Sequence, residues 1–347
     1  LANQPSFAVT PSFNHEGELM LGLDKAVVDT TVAVLFQVSE GSANPLKSKQ
    51  EVVWQYLAKN NVWKDFENGK VSEDTNGLLH SGIVSFALPA DLAPAPSLMG
   101  GSLRWIRAFV QQSSDAICNL VDLKPQAIKA VWTNVHHPTL SYTQKTPAGT
   151  ITKLQQASAS VKKIDQPYDS FGGRFAETEE KFYLRSSERL RHKRRAITIW
   201  DYEHLVLEAF PEIYKVKCLN HTKVRMDAAG NETGDNELAP GCVVVVPLPD
   251  LSQMHSRNPL RPLTSLDTLS NIEVYLKKIT SGFVRIQSRN PVFEEIVIRC
   301  DVQFFGNDPG YYHDRLQEDL QRFLCPWAYD PTQEVEFGGK ISKSILI

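Results

Sequence analysis

The stretch from Phe171 to Lys217, FGGRFAETEEKFYLRSSERLRHKRRAITIWDYEHLVLEAFPEIYKVK, leaves the least freedom to a chain of this kind. It predicts loop, helix, basic corner, helix, proline stop and strand, in that order. The first helix, Ala176 to His192, opens with Glu177, Glu179 and Glu180 and closes into Arg189, Arg191, Lys193, Arg194 and Arg195. Acid at the N-terminal end and base at the C-terminal end is the order the helix dipole favours. A second helix opens at Thr198, with Asp201 three residues on as its capping-box partner. Ile199, Tyr202, Val206, Ala209 and Phe210 fall on one face at helical spacing. Pro211 disfavours a helical Phe210 and stops the helix there. Ile213 to Leu219 alternates apolar and polar side chains, the pattern of a half-buried strand.

These residues also carry a resemblance. Phe182-Tyr183, Ser187 to Lys193, Ala196-Ile197-Thr198, Trp200-Asp201-Tyr202-Glu203, Phe210-Pro211-Glu212-Ile213 and Lys215 to Cys218 are similar to the baseplate J-like family. That family comprises wedge proteins of contractile phage tails and of related injection systems of the antifeeding-prophage type. A second block, from Arg289-Asn290-Pro291 to Trp327-Ala328-Tyr329-Asp330, also resembles it. Together with the segment between them, the blocks span roughly the last half of the chain. The resemblance implies a structural part in a multi-subunit injection machine rather than catalysis.

The 347 residues suffice for about two or three domains. A net charge of −3 makes the whole molecule no magnet for nucleic acid, so any positive field is local. Cys118, Cys218, Cys242, Cys300 and Cys325 are widely spaced and odd in number, which reads as buried free thiols of a reducing compartment. No apolar run approaches the ~20 residues needed to span a bilayer. The chain begins at Leu1 and stops after Ser344-Ile345-Leu346-Ile347, in the manner expected of a piece of a longer polypeptide.

Residues 1–140 read as a β-sandwich-like domain. Leu19–Leu23, Thr30–Val38, Val52–Leu57, Val62–Phe66, Gly82–Leu88, Leu103–Val110 and Ala127–Val135 are short strand signals at the repeat distance of a sandwich. Asn60-Asn61 marks a hairpin turn. Trp54, Tyr56, Trp63, Phe66 and Trp105 belong by preference between the sheets, although exposed rings would suit a sugar-stacking platform. Residues 141–175 read as a linker or arm. Residues 176–347 read as an α+β domain: a helical hairpin and a small, mainly antiparallel sheet with helices on one face. There Cys242–Pro247 is a central strand. Thr264 with Asp267 caps a helix whose face is Leu269, Ile272, Leu276 and Ile279. Val284–Gln287 and Val292–Phe305 are strands, and Asp308-Pro309 opens a last helix that Pro326 ends.

Chemistry is harder to find. No GxSxG, HExxH, CxxC or phosphate-cradling glycine loop is present. His136 and His137 point to opposite faces of an extended chain. Asp227, Glu232, Asp235, Asn236 and Glu237 lack the spacing of a calcium loop and read as a solvated hairpin loop. The expectation is therefore a structural baseplate wedge protein with no catalytic, cofactor or metal site. Its partners would be other wedge subunits and further copies of itself, with sheath or spike-hub proteins beyond them, no membrane, no small-molecule substrate and little part for nucleic acid. Assembly would take place in the bacterial cytoplasm, into a phage tail or phage-tail-like particle. Candidate subunit contacts are Arg191, Lys193, Arg194, Arg195, Trp200, Trp327 and Tyr329. The alternative is a carbohydrate-binding adhesin module built on residues 1–140.

Overall fold

The computed structural model describes residues 15–59, 61–94, 101–131, 145–173, 177–227, 232–250, 258–305, 308–330, 335 and 337–339. The chain divides into two compact units, one of residues 129–193 and one of residues 1–128 with 194–347. The larger unit begins with β1 (Gly17–Leu23), β2 (Thr31–Val38), β3 (Val53–Ala58), β4 (Val62–Asp65), β5 (Val71–Glu73), β6 (Gly82–Ala87), β7 (Arg104–Val110) and β8 (Leu120–Pro125). They form two four-stranded sheets of order β1-β7-β3-β4 and β5-β6-β2-β8, and every pair is antiparallel.

Alternation puts one face of each sheet inward, so the two close on a shared core of Val34, Phe36, Trp54, Tyr56, Val84, Phe86, Ile106 and Ala108. Trp54 lies edge-on to Phe36 and Phe86, with ring centroids 5.6 and 4.9 Å away. Each fully buried ring of this size contributes about 1.5–3 kcal/mol. Gly82 is required where β6 passes β5, because a Cβ there would stand 1.8 Å from the carbonyl oxygen of Asp74. The predicted last strand, Ala127–Val135, is corrected. The eighth strand is Leu120–Pro125, and residues 127–131 carry no ladder, while 132–135 lie outside the described residues. β8 escapes a periodicity reading because it pairs on the open edge of β2 with most of its side chains exposed.

In the smaller unit, the described residues 145–173 contain neither helix nor strand. They close a loop on themselves through Gly149 N–H to the Gln166 carbonyl (2.8 Å) and Ser170 N–H to the Thr146 carbonyl (2.9 Å). The helix α1 (Glu179–His192) follows, with Thr178 as N-cap and Lys193 in the left-handed conformation at its end. Arg185 grips Glu177 by two bonds of 2.8 Å.

The larger unit resumes with α2 (Ile199–Ala209), whose capping box between Thr198 and Asp201 is present as predicted. After it come β9 (Ile213–Asn220), the hairpin of β10 (Lys223–Met226) and β11 (Glu232–Asn236), and β12 (Cys242–Pro249). The helix α3 (Leu266–Ile279), β13 (Arg285–Ser288) and α4 (Pro309–Leu324) complete the order. β12 is central, antiparallel to β9 and parallel to β13, the parallel pair being joined through α3 as a crossover must be. One face of this sheet packs under Tyr202, Leu205 and Val206 of α2 and Ile272 and Leu276 of α3.

Three further expectations are corrected here. The two covering helices are α2 and α3 rather than α3 and α4, since no described side chain of α4 is buried. Val292–Phe305 is not a strand. No residue from 288 to 305 has the left-handed backbone that a tight hairpin needs, Pro291 fixes its own φ, and Glu273 already accepts the Ser288 N–H at 2.8 Å. The N-cap of α3 is Ser265, not Thr264. The Thr264 hydroxyl is buried and donates to the Pro247 carbonyl, which leaves Asp267 for another partner.

Candidate functional site

That partner is the sandwich. Asp267 accepts from Asn76 Nδ2 at 2.7 Å and lies 2.9 Å from His80 Nδ1, and its second oxygen accepts from Asn271 at 2.9 Å. Beside it, Leu266 enters an apolar cluster with Val38, Ala43, Leu79, Ala116 and Cys118. Asn290 closes the junction from below. It is buried, accepts the Thr264 N–H at 2.7 Å, and donates to the carbonyls of Thr264 and of Pro45, each at 3.0 Å. The two layers of the larger unit are thus joined by a small apolar core ringed with directed polar contacts. The hydrogen bond with Asp267 raises the His80 pKa, against an opposing effect of burial. Burial would raise Asp267, but the bonds from His80 and Asn76 outweigh it and the carboxyl lies below its usual range. Sequence reasoning missed this junction because it assigned Asp267 to a cap and gave His80 no partner.

The candidate contact residues sit in four places. Arg191 and Lys193 are exposed at the end of α1, in the smaller unit. Arg194 and Arg195 are exposed at the start of the resumed larger unit, with Arg194 left-handed at φ 56°. Trp200 stands half-buried on α2 and stacks on His204, with centroids 3.9 Å apart. Trp327 and Tyr329 follow α4. The Tyr329 hydroxyl donates to Gln321, and the Arg322 guanidinium lies 5.2 Å from its ring centre. Trp327 is half-buried with its indole nitrogen enclosed and unbonded.

Large apolar side chains are exposed on two amphipathic helices. On α1 these are Phe182, Tyr183, Leu184 and Leu190, and on α4 they are Tyr311, Tyr312 and Phe323. The aromatic residues of the sandwich are placed differently. Trp54 and Tyr56 are buried, and Tyr56 donates to Asp91, its pKa pushed up to about 12 by burial and then by that bond. Trp63 is covered by the Arg107 guanidinium, 4.6 Å from its ring centre.

The acidic loop residues serve the hairpin. Glu232 and Asp235 hold Arg289 at 3.4 and 2.5 Å, which pins β11 beside the end of β13. Among the described residues no group of three or more His, Cys, Asp or Glu side chains is placed to hold a metal ion. No described helix is long and apolar enough to cross a membrane. The five thiols are free. Cys118 and Cys218 are buried as expected, and burial, then Glu203, pushes the Cys218 thiol up to about 12. Cys300 is exposed, a correction that follows from its segment not being a strand.

A family model described as PVC11-like baseplate protein matches residues 6–347. No curated protein matches the chain. Among solved structures, a chain of the cryo-EM structure of the anti-feeding prophage baseplate, six-fold symmetrised, is 18% identical with a TM-score of 0.35. That alignment covers 92% of this chain and 67% of the other. On the family match, which runs through sandwich, junction and α+β layer alike, the chain belongs to the PVC11-like baseplate proteins.

Proposed function

We propose that this chain is a structural wedge component of the baseplate of a contractile phage tail or phage-tail-like injection particle, acting through subunit contacts. The observation that carries the reading is membership of a baseplate family across residues 6–347. The surface supports it: α1 and α4 are amphipathic, well capped and exposed along apolar side chains that a self-sufficient fold would bury. Arg191 and Lys193 of the smaller unit would meet neighbouring subunits, as would Arg194, Arg195 and Trp200 of the larger unit and, separately, Trp327 and Tyr329. The partners are other wedge subunits and further copies of this chain, with sheath or hub proteins beyond them. Assembly takes place in the bacterial cytoplasm.

The test is genetic and visual. Removal of the gene from a producing cell should abolish assembled particles in electron micrographs, and the wild-type gene should restore them. A variant carrying Arg194→Glu, Arg195→Glu and Trp200→Ala, folded by circular dichroism, should fail to restore them. Normal particles from the deletion strain would refute the wedge role, and normal particles from the variant would refute these contacts. Sheath, tube and spike genes beside this one would support the reading before any assay.

A further inference from the structure

The sandwich and the α+β layer each have a core of their own, and what joins them is narrow. Among the described residues no strand of one pairs with a strand of the other. Their apolar contact is the cluster of Val38, Ala43, Leu79, Ala116 and Cys118, which one described residue of the layer, Leu266, enters. The polar contacts run from Asp267 to Asn76 and His80, and from Asn290 to the Pro45 carbonyl. Beside Pro45 the seam is open. A cavity of about 220 Å³ lies between Pro45 and Leu46 of the sandwich and Leu263 and Asn290 of the layer, with Glu232 and Arg261 on its wall. A wall with such polar groups admits water, so this part of the seam adds little to its closure.

Both sides of the junction are built locally. On the sandwich, Asp115 holds the turn through Asn44 Nδ2 and Lys47 Nζ at 2.9 and 2.8 Å, and Glu73 accepts the Gly77 N–H at 2.7 Å. On the layer, Ser265 caps α3, and Asn271 steadies the second oxygen of Asp267. Between β8 and α2 the chain runs through residues 129–193, the smaller unit, so no short covalent link ties the two bodies at the junction. Only the crossing contacts have to break for the sandwich to part from the layer.

One of those contacts depends on a proton. His80 meets Asp267 of α3 at 2.9 Å, and Glu40 of the turn after β2 and Asp74 of the loop before Gly82 also favour the charged ring. Asp267 in turn faces Lys49. Lys47, Asp115 and Glu73 are taken up by the sandwich's own bonds.

We infer that the junction is a pH-sensitive latch: protonated His80 on Asp267 holds the sandwich against the α+β layer, and loss of that proton lets the two separate as folded bodies. The bond to Asp267 raises the His80 pKa, so its hold is complete below about pH 6.5 and is lost as pH rises through the folded value. Asp267 is lowered, so acid opens the latch only as pH falls through a value below the usual carboxylate range. The device belongs to the single chain and does not depend on which subunits surround it.

The chain's own thiols report on it. Cys118 is buried in the cluster that Leu266 plugs, Cys218 is buried in the core of the layer, and Cys300 is exposed. Brief labelling of the full 347-residue chain with iodoacetamide, read peptide by peptide in a mass spectrometer, gives the rate at each. Division by the Cys300 rate removes the intrinsic dependence of thiol reactivity on pH. The Cys118 ratio should rise at least about fivefold as pH is raised from about 5.5 through the folded value of His80, while Cys218 stays protected. His80→Gln and Asp267→Asn should label fast at Cys118 already at the lower pH, with the pH dependence gone. Should one of them misfold, seen as labelling of Cys218, the other still decides. A wild-type Cys118 ratio that does not change with pH, Cys118 and Cys218 opening together, or folded variants as protected as wild type would overturn the latch.

Discussion

Removing either partner of the His80–Asp267 pair should loosen the sandwich from the α+β layer in a pH-dependent way. The two side chains meet at 2.9 Å with about a third and a fifth of their surface exposed, so water screens the pair only in part. A charge-assisted hydrogen bond of this kind contributes about 1.5–3 kcal/mol, and the residual exposure reduces the pairwise coupling to about 1–2 kcal/mol. His80 is raised above its ordinary value, so its contribution is complete below about pH 6.5 and is lost as pH rises through the folded value. Asp267 is lowered, so its contribution is complete above about pH 4 and is lost as pH falls through the folded value. Coupling is therefore greatest between those limits. Glu40 and Asp74 reinforce the charge on His80, and Lys49 reinforces that on Asp267.

The assay is a double-mutant cycle of His80→Gln, Asp267→Asn and the pair, read from urea unfolding followed by tryptophan fluorescence. Trp54, Trp63 and Trp105 lie in the sandwich and Trp200 in the layer, so the signal follows both sides of the junction. Coupling near 1–2 kcal/mol at about pH 5.5 should fall below about 0.5 kcal/mol as pH rises through the raised folded value of His80 and the imidazole loses its charge. Coupling that does not change with pH, or none at the lower pH, would show that the ion pair does not hold the junction.

Other positions give simpler expectations. Gly82→Ala should cost about 3 kcal/mol or more and shift the urea midpoint accordingly, because its Cβ would collide with backbone rather than with a movable side chain. Ile272→Ala, in the fully buried seam between α3 and the sheet, should cost about 2–5 kcal/mol. Thr198→Ala should remove about 1 kcal/mol by opening the capping box of α2, visible as faster amide exchange in its first turn. Full stability in any of these variants would contradict the corresponding contact.

The sequence was most legible where local chemistry decides structure. The capping box of Thr198 and Asp201, the Asp308-Pro309 start of α4, the left-handed Asn61 before β4 and the apolar run at Cys242 each act within a few residues, and each element forms where that chemistry places it, while Asn60 lies outside the described residues. The candidate contacts were legible only as residue types. Positive charge after α1 and aromatic rings after α4 are visible in the letters, whereas their neighbours are not.

What the sequence determined by itself was the succession of elements, because caps, prolines and apolar periods are short-range devices. Tertiary structure alone decided which elements meet. Val292–Phe305 has the alternation of a strand, but a ladder needs an edge to receive it, and the Ser288 N–H of the neighbouring edge is already held by Glu273. Asp267 sits where a capping carboxylate belongs, yet its bonds go to Asn76 and His80, residues almost two hundred positions away. No local rule reaches that far, because whether a polar side chain caps its own helix or joins two layers depends on which surface the fold brings against it.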